Sequence, residues 1–361
     1  MKRNLISISE LASMLAGQID TLVAEILPNG KREGNEWRVG SLAGEPGRSL
    51  AVNLSAARAG VWSDFCSGEC GDALELVAAV LFRGDKGDAV KWAKSWLGLD
   101  NADPARIEQQ RRVNQENQSQ RKLKAKQDEE RIHRIARGLW HNADPKILGT
   151  PVYEYLLARG IDLKRLPKLP GSIRYSPDCW CDEVQRKMPA MVTAIMNADG
   201  QHIATHRTYL QLGQPVQKAK LIDAKKTLAP YRGGFISLNR GASSKPLKAA
   251  PAGDKVIICE GIEDGLSLAL ACPEYRVIAA VSLSNFRNIE LPEIIKDVII
   301  AADNDQGNIK AMDSLDVAIS HFMRQGRRVS IARSSVGKDF NDLLQANRGT
   351  ITAARAAGGA A

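Results

Sequence analysis

Two stretches of the sequence end in carboxylates placed to hold a metal ion. Glu260 follows the apolar run "KVIIC" and precedes Gly261, while Asp303 and Asp305 follow "DVIIAA" with Asn304 between them. Short β-branched runs bounded by turn residues read as buried strands, so all three acids stand at carboxyl ends of strands, where α/β sheets bind their ligands. The alternation in Asp303-Asn304-Asp305 lets two carboxylates bracket one ion. Hard oxygen donors that leave room for phosphate oxygens suit Mg²⁺ or Mn²⁺. Such ions steady the attacking and leaving oxygens in nucleotidyl transfer or in phosphodiester cleavage. A lone acid at a strand end is more often a helix cap or a turn former. Glu-Gly after one apolar run and Asp-x-Asp after a later one is a pattern that capping does not call for.

The elements that must bring these acids together alternate. The spacing predicts strand Lys255–Cys259, helix Ile262–Ala271, strands Arg276–Val281 and Asp297–Ala302, helix Asn308–Arg324 and strand Arg328–Ala332. Strands and helices in this order imply an α/β fold with a mostly parallel sheet covered on both faces. Upstream, "MPAMVTAIMNADGQHIATHRTYL" predicts a hairpin turning at Asn197–Gly200, with Arg207 on its second strand. Lys218, Lys220, Lys225 and Lys226 follow. Cations clustered beside a carboxylate site suit a triphosphate or a template backbone, with solvated surface lysines as the alternative.

Nearer the N-terminus, apolar spacing predicts a helix from Ile8 to Leu27, a small antiparallel sheet between Trp37 and Phe65, and helices Ala73–Phe82 and Asp88–Leu97. From Asn101 to Glu130 the chain is Gln, Asn, Lys, Arg and Glu with few apolar residues, which reads as a linker or an exposed helix. The domains expected are 1–100, a small α+β domain; 101–131, the charged connector; 132–250, an α+β unit with the basic hairpin; and 251–361, the acidic α/β domain.

With 361 residues and 44% hydrophobic content, the chain can bury more than one core, and its net charge of +9 fits a polyanionic partner. The six cysteines make no dense framework of the kind that staples secreted domains, so reduced thiols are expected. Acids interrupt the apolar residues before Leu27, and no apolar run is long enough to span a bilayer, which leads to the expectation of a cytoplasmic protein with no membrane partner.

Taken together, Glu260, Asp303 and Asp305 resemble the metal-binding acids of the Toprim domain, the compact α/β fold of bacterial-type primases, topoisomerases and some nucleases. Two further segments are similar to those of primases: Glu260-Gly261-Ile262-Glu263-Asp264, and Gly337-Lys338-Asp339-Phe340-Asn341-Asp342. They add Asp264 and Asp339 as metal candidates and Lys338 as a phosphate candidate. "YLLARGI" from Tyr155 resembles the opening of the primase core, in which the hairpin bearing Arg207 and the lysines Lys218, Lys220 and Lys225 would bind nucleotide and nucleic acid.

Trp62 to Ala73, with Cys66 and Cys70, is similar to the end of a primase zinc-binding domain. A structural zinc site needs four ligands, usually as two pairs, and no upstream pair is present, so a zinc-free remnant is expected. There Trp37, Trp62 and Phe65 would stack bases and Arg38, Arg48 and Arg58 would meet phosphates, with core packing of the aromatics as the alternative. The resemblance implies an enzyme of the DNA-directed RNA polymerase type: a DNA primase joining ribonucleoside triphosphates on single-stranded DNA with Mg²⁺ or Mn²⁺. It looks closest to the branch associated with phages and plasmids. The sequence contains no P-loop, so a separate replicative helicase would be the partner. The alternatives are a metal-dependent nuclease and a non-catalytic DNA-binding accessory protein.

Overall fold

The computed structural model describes residues 6–55, 58–99, 104–304 and 307–347. The chain forms two compact units, residues 1–130 and 131–361. In the first, the apolar repeat before Leu27 makes two helices where one was expected, α1 (Ile8–Gly17) and α2 (Ile19–Ile26). Gly17 is a poor helix former, and at Gln18 the backbone leaves the helical region with φ −121°. Ser7 and Glu10 close the start of α1 with a reciprocal capping box.

Five antiparallel strands follow in chain order: β1 (Lys31–Glu33), β2 (Glu36–Val39), β3 (Leu50–Asn53), β4 (Trp62–Asp64) and β5 (Cys70–Gly71). Helices α3 (Ala73–Phe82) and α4 (Lys86–Trp96) complete the layer. Trp37 and Trp62 pack with this core, and their indole N–H groups donate to the carbonyls of Leu27 and Asp72, both at 3.1 Å. Both are therefore structural. Phe65 is exposed, with the Arg38 guanidinium 5.6 Å from its ring centre. Arg38 and Arg48 are paired with Glu36 and Glu33 at 2.5 and 2.6 Å.

The charged stretch is helical, as part of α5 (Pro104–Asn142). Its polar side chains supply the anchors that an apolar stripe would otherwise give. Within the first unit, Arg111 pairs with Glu10 at 3.1 Å, and Arg121 donates to the carbonyls of Ala16 and Gly17 at the open end of α1.

The second unit contains α6 (Pro151–Ala158) and a sheet of β6 (Ile173–Cys181), β7 (Arg186–Met196), β8 (His202–Gln211), β9 (Gln217–Lys218) and β10 (Lys225–Leu228). Its order is β10-β8-β7-β6, with β9 paired to β8. A further sheet has the order β11-β13-β12-β14-β15, from β11 (Ile236–Arg240), β12 (Lys255–Cys259), β13 (Arg276–Ala279), β14 (Asp297–Ala302) and β15 (Arg328–Arg333). β12 to β15 are parallel and β11 is antiparallel to β13. This is the expected α/β architecture.

Helices α7 (Ile262–Ala271) and α8 (Ile309–Arg324) serve cores on the two faces of this sheet. Along β12, Ile257 and Cys259 enter one core while Val256 and Ile258 enter the other, which is why the strand reads as an unbroken apolar run. α7 packs closely because residue 265 is glycine: a Cβ there would lie 2.3 Å from Leu238 Cδ1. β12 is paired in parallel with both β13 and β14, so the order reverses beside it. A crevice forms at such a switch point beyond the carboxyl ends of the strands.

Candidate active site

Because β12 and β14 are parallel neighbours in register, the residues that leave their carboxyl ends come side by side. Glu260 and Asp303 both line a cleft of about 610 Å³, together with Asp264, Asp339, Arg159, Lys218, Lys225 and Lys338. Gly261 is the N-cap of α7 and Asp264 lies in its first turn, where the helix dipole favours negative charge. Asp264 is buried and accepts the backbone N–H of Asn341 at 3.1 Å. Asn341 in turn donates its side-chain amide to the Arg159 carbonyl at 2.9 Å and to Ser267 Oγ at 3.1 Å. The late segment is thereby tied both to α7 and to the end of α6.

A second tie comes from Asn304, the residue between the two aspartates. Its backbone N–H donates to the Lys338 carbonyl at 2.8 Å, and its side-chain amide donates to the carbonyls of Ser334 and Gly337, both at 2.9 Å. Gly337 has φ +70°, and a Cβ there would meet the Asp342 Cβ at 2.5 Å. That close approach lets Asp342 accept the Lys338 N–H at 2.9 Å, while Asp339 accepts the Asp342 N–H at 2.8 Å at the start of the helix 340–347.

Burial raises the Asp264 carboxyl to about 7, reinforced by Asp339 and, more weakly, by Asp303 and Glu263, against the Asn341 N–H. Glu263 is buried one residue earlier, between the Tyr155 hydroxyl at 2.7 Å and the Lys225 ammonium at 3.0 Å. Burial would push Glu263 up, but the Lys225 charge and the Tyr155 hydroxyl outweigh it and hold the group at about 2. The Tyr155 hydroxyl is pushed well above its ordinary value by burial and by the Glu263 charge.

The donor chemistry fits a hard divalent cation: Glu260, Asp264, Asp303 and Asp339 line one cleft together with the Lys225-paired Glu263. Among the described residues, no three His, Cys, Asp or Glu side chains stand close enough to form a ready cage. Asp305 lies outside the described residues. On the cationic side, Arg159 lines the cleft, and its buried Nε has no hydrogen-bond partner among the described residues.

Lys218, Lys225 and Lys338 thus join the carboxylates, and two expected residues do not. Arg207 pairs with Val192 and Lys226 across the sheet, on the face that carries Tyr209, so it is buried with its guanidinium 5.8 Å from the Tyr209 ring. Its neighbours His206 and Thr208 take the opposite face, that of Lys225. A one-residue step in a strand decides the side. Lys220 is exposed and outside the cleft lining, because the chain turns after β9 with the Leu221 N–H donating to the Ala219 carbonyl. Glu263, Arg159 and Asn304 were not singled out from the sequence, although each sits inside a motif that was.

Residues 255–349 match the Toprim domain family, so the acidic domain of this chain is a Toprim domain. Residues 130–238 match a domain of unknown function, DUF7146. Among solved structures, the zinc-binding and RNA polymerase domains of the Aquifex aeolicus primase align over 93% of this chain and 82% of that one, at 17% identity and a TM-score of 0.37. The E. coli primase catalytic core aligns over 60% and 76%, at 15% identity and a TM-score of 0.40. The primase fragment of the bacteriophage T7 primase-helicase protein aligns over 54% and 70%, at 16% identity and a TM-score of 0.36. No curated protein matches the chain. Among the described residues, no helix is long and apolar enough to cross a membrane.

Proposed function

We propose that this protein is a DNA primase: a DNA-directed RNA polymerase that joins ribonucleoside triphosphates into short primers on single-stranded DNA. The observation that carries this reading is one cleft in which Glu260, Asp264, Asp303 and Asp339 share the walls with Lys218, Lys225, Lys338 and Arg159. Hydrolysis of a phosphodiester needs the acids, whereas a triphosphate brings extra negative charge that a basic wall is suited to hold.

Glu260 and Asp303, with Asp305, would hold Mg²⁺ or Mn²⁺, and Asp264 and Asp339 would complete the acidic surroundings. Such an ion supplies Lewis-acid stabilisation to the attacking 3′-oxygen and the leaving pyrophosphate. Lys218, Lys225, Lys338 and Arg159 bind the phosphate tail and fix its direction. The Asn304 and Asn341 hydrogen bonds keep Asp303, Asp264 and the late segment in one arrangement, so that little reorganisation is left for the reaction. Replication, in the company of a separate helicase and on a phage or plasmid element, is the setting we assign.

The test is incubation with single-stranded DNA, labelled ribonucleoside triphosphates and Mg²⁺ or Mn²⁺. Short RNA should form, and Asp303→Ala should abolish it. Loss of the DNA without triphosphates would assign the same acids to a nuclease. An Asp303→Ala protein that still supports the biological role would assign the chain to an accessory function.

A further inference from the structure

Beyond the acidic cleft, Glu260 and Asp303 also line a second cavity of about 400 Å³. Apart from Glu260, Asp303, Gly307 and Arg333, its lining is apolar: Leu283 and Phe286, Ala301 and Ala302 at the end of β14, and Ala311 and Met312 on the first turn of α8. Phe286 and Ala302 are buried, and Met312, at the mouth, is 52% exposed. The volume falls in the range of small-molecule sites.

The two cavities therefore meet at the expected metal-holding acids, one lined by carboxylates and cations together and the other largely apolar. A ligand spanning both has a polyanionic end, a point of attachment at the acids, and an apolar planar end. We propose that the apolar cavity receives the nucleoside end of the triphosphate, the flat face of the base and its ribose, while the phosphate tail lies toward Lys218, Lys225 and Lys338. This inference rests on the triphosphate reading above and adds the side on which the nucleoside sits. Ala302, whose side chain takes the α8 face of the sheet, leaves room that a larger strand residue would fill, and the flexible thioether of Met312 adapts to purine or pyrimidine faces. The open mouth leaves the pairing edge of the base toward solvent, where a template base reaches it.

The experiment measures binding of Mg²⁺-ATP and of Mg²⁺-tripolyphosphate, which lacks a nucleoside, to the full chain and to two variants. Ala311→Trp fills the cavity and Met312→Asp charges its wall. We expect each to weaken ATP binding at least tenfold with tripolyphosphate binding changed less than twofold, the latter also reporting an intact fold. Equal ATP affinity in wild type and both variants overturns the inference while leaving the triphosphate cleft in place. Equal loss of both ligands in both variants also overturns it, because the cavity would then shape the phosphate site instead. A wild-type protein that binds neither ligand overturns the triphosphate reading and this inference with it.

Discussion

Glu263 and Lys225 form an ion pair at 3.0 Å in which the carboxylate is buried and the ammonium is partly exposed in the cleft wall. Tyr155 holds the other carboxylate oxygen at 2.7 Å. Removing one partner of a buried pair is costlier than the pair is worth, because the other charge stays behind without compensation. Lys225→Met should destabilise the protein by roughly 2 kcal/mol, below the cost of breaking a fully buried pair because Lys225 is partly solvated. Glu263→Gln keeps an acceptor for Tyr155 and should cost less. Urea unfolding of the two variants checks the order; a larger loss in Glu263→Gln would contradict it.

Arg207 and Lys218 should separate by readout. Arg207→Met removes a buried group that faces Tyr209, away from the cleft, so the melting temperature should fall with KM for nucleotides unchanged within about twofold. Lys218→Ala removes a cleft cation and should raise KM with the melting temperature unchanged. Steady-state kinetics beside thermal unfolding decides between this assignment and its reverse.

These two residues show what the sequence made legible. The parallel sheet, its strand-end acids and the helix between them follow from β-branched runs of strand length interrupted by Glu-Gly and Asp-x-Asp, since each signal is local. The side taken by Arg207 is not local. It depends on the register of β8 against β7 and β10, and four adjacent polar residues, His206 to Tyr209 with their Thr and Arg, carry no alternation of polarity from which to read it. Glu263 was hidden for a similar reason: an acid in the first turn of a helix is ordinary, and what distinguishes it is burial against Tyr155 and Lys225, more than a hundred and nearly forty residues away in sequence. Asn304 looked like a spacer, yet its amide is the tie to the Lys338 segment.

Stability should fall on mild acidification. Burial lowers His206 from 6.5 to about 4, aided by the Lys225 charge, and His202 from 6.5 to about 4, aided by Arg137. Both are neutral bases in the fold. A folded value below the unfolded one means that the contribution is complete above pH 6.5 and is lost as pH falls through 4, because the unfolded chain takes up the protons first. Urea midpoints should drop between pH 6.5 and 4, and His206→Met should make that drop shallower. Asp264, held at about 7, contributes stability as pH falls over the same window and offsets part of the drop, so the comparison decides: an equal pH dependence in wild type and His206→Met would contradict neutral burial of His206.

Gly337→Ala should disturb the acidic site from a distance. At φ +70°, with the added Cβ 2.5 Å from the Asp342 Cβ, the substitution should cost about 1–3 kcal/mol and loosen the segment that carries Lys338 and Asp339. Titration with Mn²⁺ should show weaker binding in the variant than in wild type. Wild-type affinity would mean that the segment does not shape the site.

The central claim, nucleotidyl transfer by the Toprim acids, is tested most directly by product stoichiometry. With single-stranded DNA, all four ribonucleoside triphosphates and Mg²⁺ or Mn²⁺, the protein should release one pyrophosphate for each phosphodiester bond in a short RNA, and Glu260→Gln should remove both products together. RNA-free reactions in which the wild-type protein shortens the DNA, or yields neither product with any template, would contradict the account.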